Sequence, residues 1–134
     1  GFSSTRKAAA MAYRQAGITD PWEEVDFAEV HDCFTITELV NYEDLGFCER
    51  GKGRDLALSG ETGQGGKLPV NLSGGLKSCG HPIGATGARM TVEITRHLRG
   101  VAGERQARDA RRGLAHTLGG PGSTASVMVL ERAD

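Results

Sequence analysis

The segment Val25-Asp26-Phe27-Ala28-Glu29-Val30-His31 alternates apolar and polar residues, and a helical stretch from about Phe34 to Leu45, closed by Gly46, follows it at once. Alternation of this kind marks a strand, and a strand that runs straight into a helix folds that helix back against a sheet. This junction restricts the chain to an α/β arrangement. Ser4-Thr5 opens an earlier helix that reaches Ala16 and stops at Gly17. Asp20-Pro21 turns the chain. Residues 84–98 form a further helix, with Ile83, Met90, Ile94 and Leu98 near helical spacing and Gly100 as the stop. Residues 113–117 and 124–131 read as strands, joined by a turn at Gly119-Gly120-Pro121-Gly122. Residues 47–70 show no strong period; a loop of that length in a domain usually has a function, and here it is expected to cover the site. The order helix, strand, helix, long loop, helix, strand, strand predicts α-β-α layers around a mixed sheet. Three strands are few for three helices, so the sheet is expected to be incomplete, its missing strands coming from upstream sequence.

Composition narrows the function classes. The chain has 134 residues, enough for one domain over 1–134 with its own core. With 38% hydrophobic and 25% charged residues it is expected to fold rather than stay disordered. The net charge of -1 gives no electrostatic footprint for nucleic acid. Arg105, Arg108, Arg111 and Arg112 cluster, but Glu104 and Asp109 dilute them, and a solvated turn is expected there. No apolar run approaches the ~18–20 residues of a membrane helix, and no signal peptide is visible. The start at Gly1 rather than a methionine suggests a processed piece or a fragment. Cys33, Cys48 and Cys79 are odd in number, widely spaced and free of any CxxC pair, which predicts free thiols, a reducing cytoplasm and no zinc site. Many of the 20 glycines fall in 46–87 or 113–122, where they read as loops packed close to a ligand or to another backbone.

The residues that can carry chemistry fall on those loops. His81 stands in Ser73-Gly74-Gly75-Leu76-Lys77-Ser78-Cys79-Gly80-His81-Pro82-Ile83-Gly84-Ala85-Thr86-Gly87, glycine-flanked, followed by a proline and placed just before a helix. A neutral imidazole so presented can accept a proton from a thiol. Cys33 sits where a strand gives way to a helix, at the carboxyl end of the strands where α/β folds bind ligands; a helix N-terminus also favours a thiolate. Its sequence position equally suits a small buried hydrophobe. His31 reads either as a donor to a carbonyl oxygen or as a satisfied core histidine. His116 precedes the glycine-rich turn, which reads either as an oxyanion hole built from backbone N–H groups or as a tight hairpin. His97, beside Arg96 and Arg99 late in a helix, is expected to be exposed, and Cys48 and Cys79 have no evident base partner.

Glu29-Val30-His31-Asp32-Cys33-Phe34, then Gly75 to Gly87 with Gly80-His81-Pro82, then His116-Thr117-Leu118-Gly119, together resemble the C-terminal half of thiolases. The narrower resemblance is to the sterol-carrier-protein-2 type and its bacterial relatives, because most other thiolases carry Asn-Glu-Ala-Phe where this chain has His31-Asp32-Cys33-Phe34. The likeness spans roughly 5–131, with three motifs in order at family-like spacing.

The resemblance implies Claisen chemistry on acyl-CoA, with a coenzyme A thioester as substrate and no separate cofactor or metal. It implies an acylated nucleophilic cysteine in the absent N-terminal half, which none of Cys33, Cys48 and Cys79 matches. His81 would activate that nucleophile, His31 would help form an oxyanion hole for the thioester enolate, and Cys33 would shuttle the proton. Gly119 would offer a backbone N–H to a second oxyanion hole, with His116 and Thr117 as further site-lining candidates. The family works as homo-oligomers, and many of its relatives sit beside small OB-fold partner proteins. The family pattern near the end is His-Asn-Leu-Gly; here Thr117 replaces asparagine and Gly120-Pro121-Gly122 reshapes the turn. That departure leaves room for an acyl-CoA-binding or retro-aldol subunit that acts with a partner and without thiolase turnover.

Overall fold

The computed structural model describes residues 1–133. Helix α1 (Ser3–Ala16) opens the chain, followed by the one-turn α2 (Pro21–Glu24), strand β1 (Phe27–Val30), α3 (Thr35–Asp44), α4 (Gly53–Ser59), the short α5 (Gly75–Cys79), α6 (Thr86–Leu98), a 3-10 turn at Gly103–Arg105, and strands β2 (Arg112–Gly119) and β3 (Thr124–Glu131). The sheet order is β1-β2-β3: β1 runs parallel to β2, and β3 returns antiparallel to β2. A lone parallel bridge, Ala28 to Val70, marks the outer edge of β1.

The period-2 alternation of the strands sorts the core into two clusters. Ala28, Val30 and Leu114 face one way and pack with Ala9, Ile18, Tyr42, Leu45 and Phe47. Phe27 and Ala115 face the other way and pack with Leu76, Met90, Ile94 and Leu98. Helices therefore cover both sides of a mixed sheet, the α-β-α layering expected from the sequence. Because both faces of β1 are covered, all four of its residues are buried, including Glu29. Close packing explains one glycine directly: a Cβ at Gly113 would sit 2.6 Å from the Phe27 ring and 2.7 Å from Ile94, so the missing side chain lets α6 lie against the sheet.

Several local readings change. Phe2, not Ser4 or Thr5, holds the N-cap of α1; the Ser4 hydroxyl donates to Gly122 O at 2.7 Å, and Thr5 Oγ1 lies 3.1 Å from His116 Nε2. Asp20 caps α2 by accepting from the Trp22 and Glu23 amides, with Pro21 in the first helical position, so the expected turn is a helical one. The stretch 47–70 contains α4, which packs on α3. Only Gly53 of α4 is fully buried, so no apolar period announces it. Ile83 is 86% exposed and does not belong to the buried stripe of α6, whereas His97 is buried on that stripe beside Ile94 and Leu98. Its ring packs at a tilt against Phe27, centroids 4.9 Å apart, and its Nδ1 accepts the Ala107 amide at 3.0 Å. The arginines of 105–112 do not form a uniformly solvated turn: Arg105 pairs with buried Glu93 at 2.8 Å, and Arg112 with Glu131 at 2.6 Å.

Candidate active site

The carboxyl ends of the parallel strands β1 and β2 converge on one side of the sheet, where open α/β sheets bind ligands. His31 follows β1 directly, Thr117 to Gly119 end β2, and the segment from α5 to α6 brings His81 alongside. Between them lies an open cavity of about 490 Å³ lined by His31, Cys33, His81, Thr86, Thr117, Gly119 and Gly120, among others. The structure thus gathers five of the six residues singled out in the sequence.

His31 is held from behind: its carbonyl accepts Asn41 Nδ2 at 2.9 Å, and Asn41 is fully buried in α3. Its ring meets the His81 ring edge to face, centroids 5.0 Å apart. Burial pushes the His31 pKa below its ordinary value, the neighbouring His81 pushes the same way, and Asp32 opposes both. His31 is therefore a neutral imidazole near neutral pH, suited to donating a hydrogen bond rather than presenting a full charge.

His81 is exposed and lies between Gly80, at φ 78°, and Pro82. Its Nδ1 lies 2.8 Å from Thr86 Oγ1, while the Thr86 hydroxyl reaches Pro82 O at 3.2 Å. A hydroxyl has one proton. Given to the Pro82 carbonyl, it leaves the Thr86 oxygen to accept from Nδ1–H, so Nε2 carries the free lone pair. This network assigns the tautomer a general base needs. The sequence reading missed Thr86; its position on the first turn after the histidine was the available signal.

Cys33 is half-buried and directs Sγ to Thr37 Oγ1 at 3.8 Å. It stands one residue outside the cap of α3, which Phe34 occupies in an extended conformation, so it borders the helix start without capping it. Thr117 and Gly119 line the cavity. His116 does not. It is fully buried and bonded to Thr5, because alternation along β2 turns it to the face opposite Thr117. Burial first, and then His31, push its pKa down to about 3. Cys79 is exposed and donates to Ser73 O at 3.3 Å, while burial raises the Cys48 pKa to about 11. No residue of 47–70 lines the cavity, so that stretch does not cover it. Among the described residues no three His, Cys, Asp or Glu side chains gather as a metal site.

Two buried carboxylates behind the cavity also escaped the sequence reading. Glu29 accepts Ser73 N at 3.1 Å and Ser73 Oγ at 2.6 Å, and Arg89 Nη1 donates to the same Ser73 oxygen at 2.9 Å. Asp32 Oδ1 accepts the Leu76 amide at 2.8 Å. Glu29 lies in β1 and Asp32 two residues beyond its end, and both are buried.

A family model described as thiolase C-terminal domain-like matches residues 1–132. The chain belongs to this thiolase family. The thiolase domain is 45% identical to the acetyl-CoA acetyltransferase of Methanothermobacter thermautotrophicus over 96% of its own length and 33% of that protein. It is 46% identical to sterol carrier protein 2 of Gallus gallus over 89% of its length and 21% of that protein. Among solved structures it superposes on a chain of the "Ltp2-ChsH2(DUF35) aldolase" with a TM-score of 0.81 and 27% identity, covering 98% of the thiolase domain and 32% of that chain. The domain thus spans a third or less of the length of these relatives. No helix among the described residues is long and apolar enough to cross a membrane.

Proposed function

We propose that this domain is the catalytic C-terminal half of an acyl-CoA thiolase, a protein of two halves whose nucleophilic cysteine lies in the other half. The observation that carries this reading is the meeting of His31 and His81, rings 5.0 Å apart, in one cavity with Cys33 and Gly119. In the degradative direction His81 Nε2 takes the proton of the nucleophilic thiol, and the thiolate attacks the 3-oxo carbon of the substrate. The bond between C2 and C3 breaks, leaving an acyl-enzyme and the enolate of acetyl-CoA. Neutral His31 donates a hydrogen bond to that enolate oxygen, and the Cys33 thiol supplies the proton to its carbon. Coenzyme A, its thiol proton taken up by the Cys33 thiolate, then attacks the acyl-enzyme; the Gly119 backbone N–H faces the oxyanion of the tetrahedral intermediate, which collapses to the new acyl-CoA and releases the enzyme cysteine as a thiolate that takes back its proton from His81. Donors aimed at developing charge in a fixed geometry are the largest single contribution such a site makes.

The substrate is the coenzyme A thioester itself, and the reading needs no further cofactor. Three free thiols suit a reducing cytoplasm. A homo-oligomer, or a small OB-fold partner, would supply walls the cavity lacks. The similarity to an aldolase chain at 27% identity supports a second reading, a retro-aldol or acyl-CoA-binding subunit that works with a partner.

Intact-mass measurement on the full-length polypeptide, incubated with a 3-oxoacyl-CoA, separates the two. An adduct of one acyl group, and thiolysis that falls at least tenfold in Cys33→Ala, support the thiolase reading. No adduct, or wild-type thiolysis in Cys33→Ala, contradicts the acyl-transfer step or the proton shuttle respectively.

A further inference from the structure

Asp32 stands between two residues of the cavity, yet its own side chain turns into the protein, where it is 3% exposed. Its Oδ1 accepts the Leu76 amide at 2.8 Å, and its carbonyl accepts Lys77 Nζ at 2.8 Å. Side chain and main chain of one residue thus grip the same short helix, α5. Gly75 packs directly on the carboxylate: any Cβ there would collide with Oδ2, and the backbone sits at φ 68°, where glycine is favoured. Helix α5 ends at Cys79, and Gly80 passes the chain to His81. The other end of the histidine loop is held by Thr86 on α6. The β1 side therefore reaches His81 through α5, and Asp32 makes that joint.

We propose that Asp32 is the positioning residue for His81, fixing α5 to the end of β1 so that the His81 ring keeps its edge-to-face distance from His31. The arrangement couples the two cavity segments through one buried carboxylate. Displacing a base by about 1 Å can cost 10²-fold in rate, so such a joint affects chemistry without touching substrate. The proposal rests on the reading of His81 as the base for its effect on rate, but its structural content does not.

Histidine-ring nuclear magnetic resonance on the full-length polypeptide tests it, with the signals assigned by single His→Gln variants. In Asp32→Ala the His31 and His81 ring signals are expected to move while those of His97 and His116 stay in place. Asp32→Asn, which keeps an acceptor at Oδ1, should restore the His81 signals. In Lys77→Met, altered at an exposed side chain, the His81 signals should move the same way by a smaller amount. In turnover, Asp32→Ala should lower kcat roughly tenfold to hundredfold with KM within about twofold. Unmoved His81 signals in Asp32→Ala would overturn the proposal, as would equal movement of all four histidines, which describes a general structural cap. Should Asp32→Ala fail to fold, unmoved His81 signals in Lys77→Met overturn it instead. A wild-type protein that shows no thiolysis removes the base assignment while leaving the spectra to decide the positioning.

Discussion

At the scale of single residues, hydrogen bonds and burial set the environment of the histidines in and behind the cavity. Thr86 fixes the His81 tautomer by accepting from Nδ1. Thr86→Val should lower kcat/KM about tenfold, the equivalent of one hydrogen bond of roughly 1.4 kcal/mol, while Thr86→Ser should stay within about threefold. Steady-state kinetics on the full-length polypeptide checks both. Buried His116 gives a pH prediction of definite sign. Its folded pKa of about 3 lies below the ~6.5 of an unfolded chain. Between those values the unfolded state binds one proton that the folded state refuses, so stability is complete above pH ~6.5 and falls toward pH ~3. The slope from this one group is about 1.4 kcal/mol per pH unit. His116→Gln, which can still bond Thr5, should flatten the acid limb of a urea-denaturation series by about that slope; an unchanged limb would mean that His116 is protonated in the folded state. The sequence offered His81, Cys33 and His31 through their motif and their place at the end of a strand. It did not separate His116 from Thr117, although alternation along a strand puts adjacent residues on opposite faces and only one of them can line the cavity.

At the scale of elements, what was legible depended on how many residues each element buries. Helix α6 buries Met90, Ile94, His97 and Leu98 along one stripe, so its span was readable to within a turn. The same spacing could have placed His97 inside, since it lies seven residues after Met90, but its arginine neighbours argued for solvent. Helix α4 was not readable because it lies on α3 with a single fully buried residue, a glycine. Strand β1 looked longer than it is, because Val25 and Asp26 belong to the exit from α2, where the Asp26 carboxylate accepts the Arg111 and Arg112 amides. The approach of α6 to the sheet rests on Gly113. Gly113→Ala should destabilise the fold by roughly 1–3 kcal/mol, the usual cost of overpacking. A urea midpoint unchanged from wild type would show that Phe27 and Ile94 yield without strain.

At the scale of the molecule, the proposed function makes this domain one wall of a site. The cavity is open, and β3 pairs with β2 along one edge while no described strand pairs with the other. Half-exposed Met128 lies on that strand. The mixed three-stranded sheet was legible from the strand and helix order, whereas the strand order was not, because edge hydrogen bonds carry no side-chain signature. The chain spans a third or less of the length of the relatives it matches. On the proposed reading, the cavity holding His31, Cys33 and His81 performs acyl transfer, with His81 as the base. The most direct measurement is the rate of 3-oxoacyl-CoA thiolysis by the full-length polypeptide and by its His81→Ala variant. A loss of about 10²–10⁴-fold in kcat is expected from removal of a general base. A loss under about threefold, well below any general-base contribution, would rule out His81 as the base.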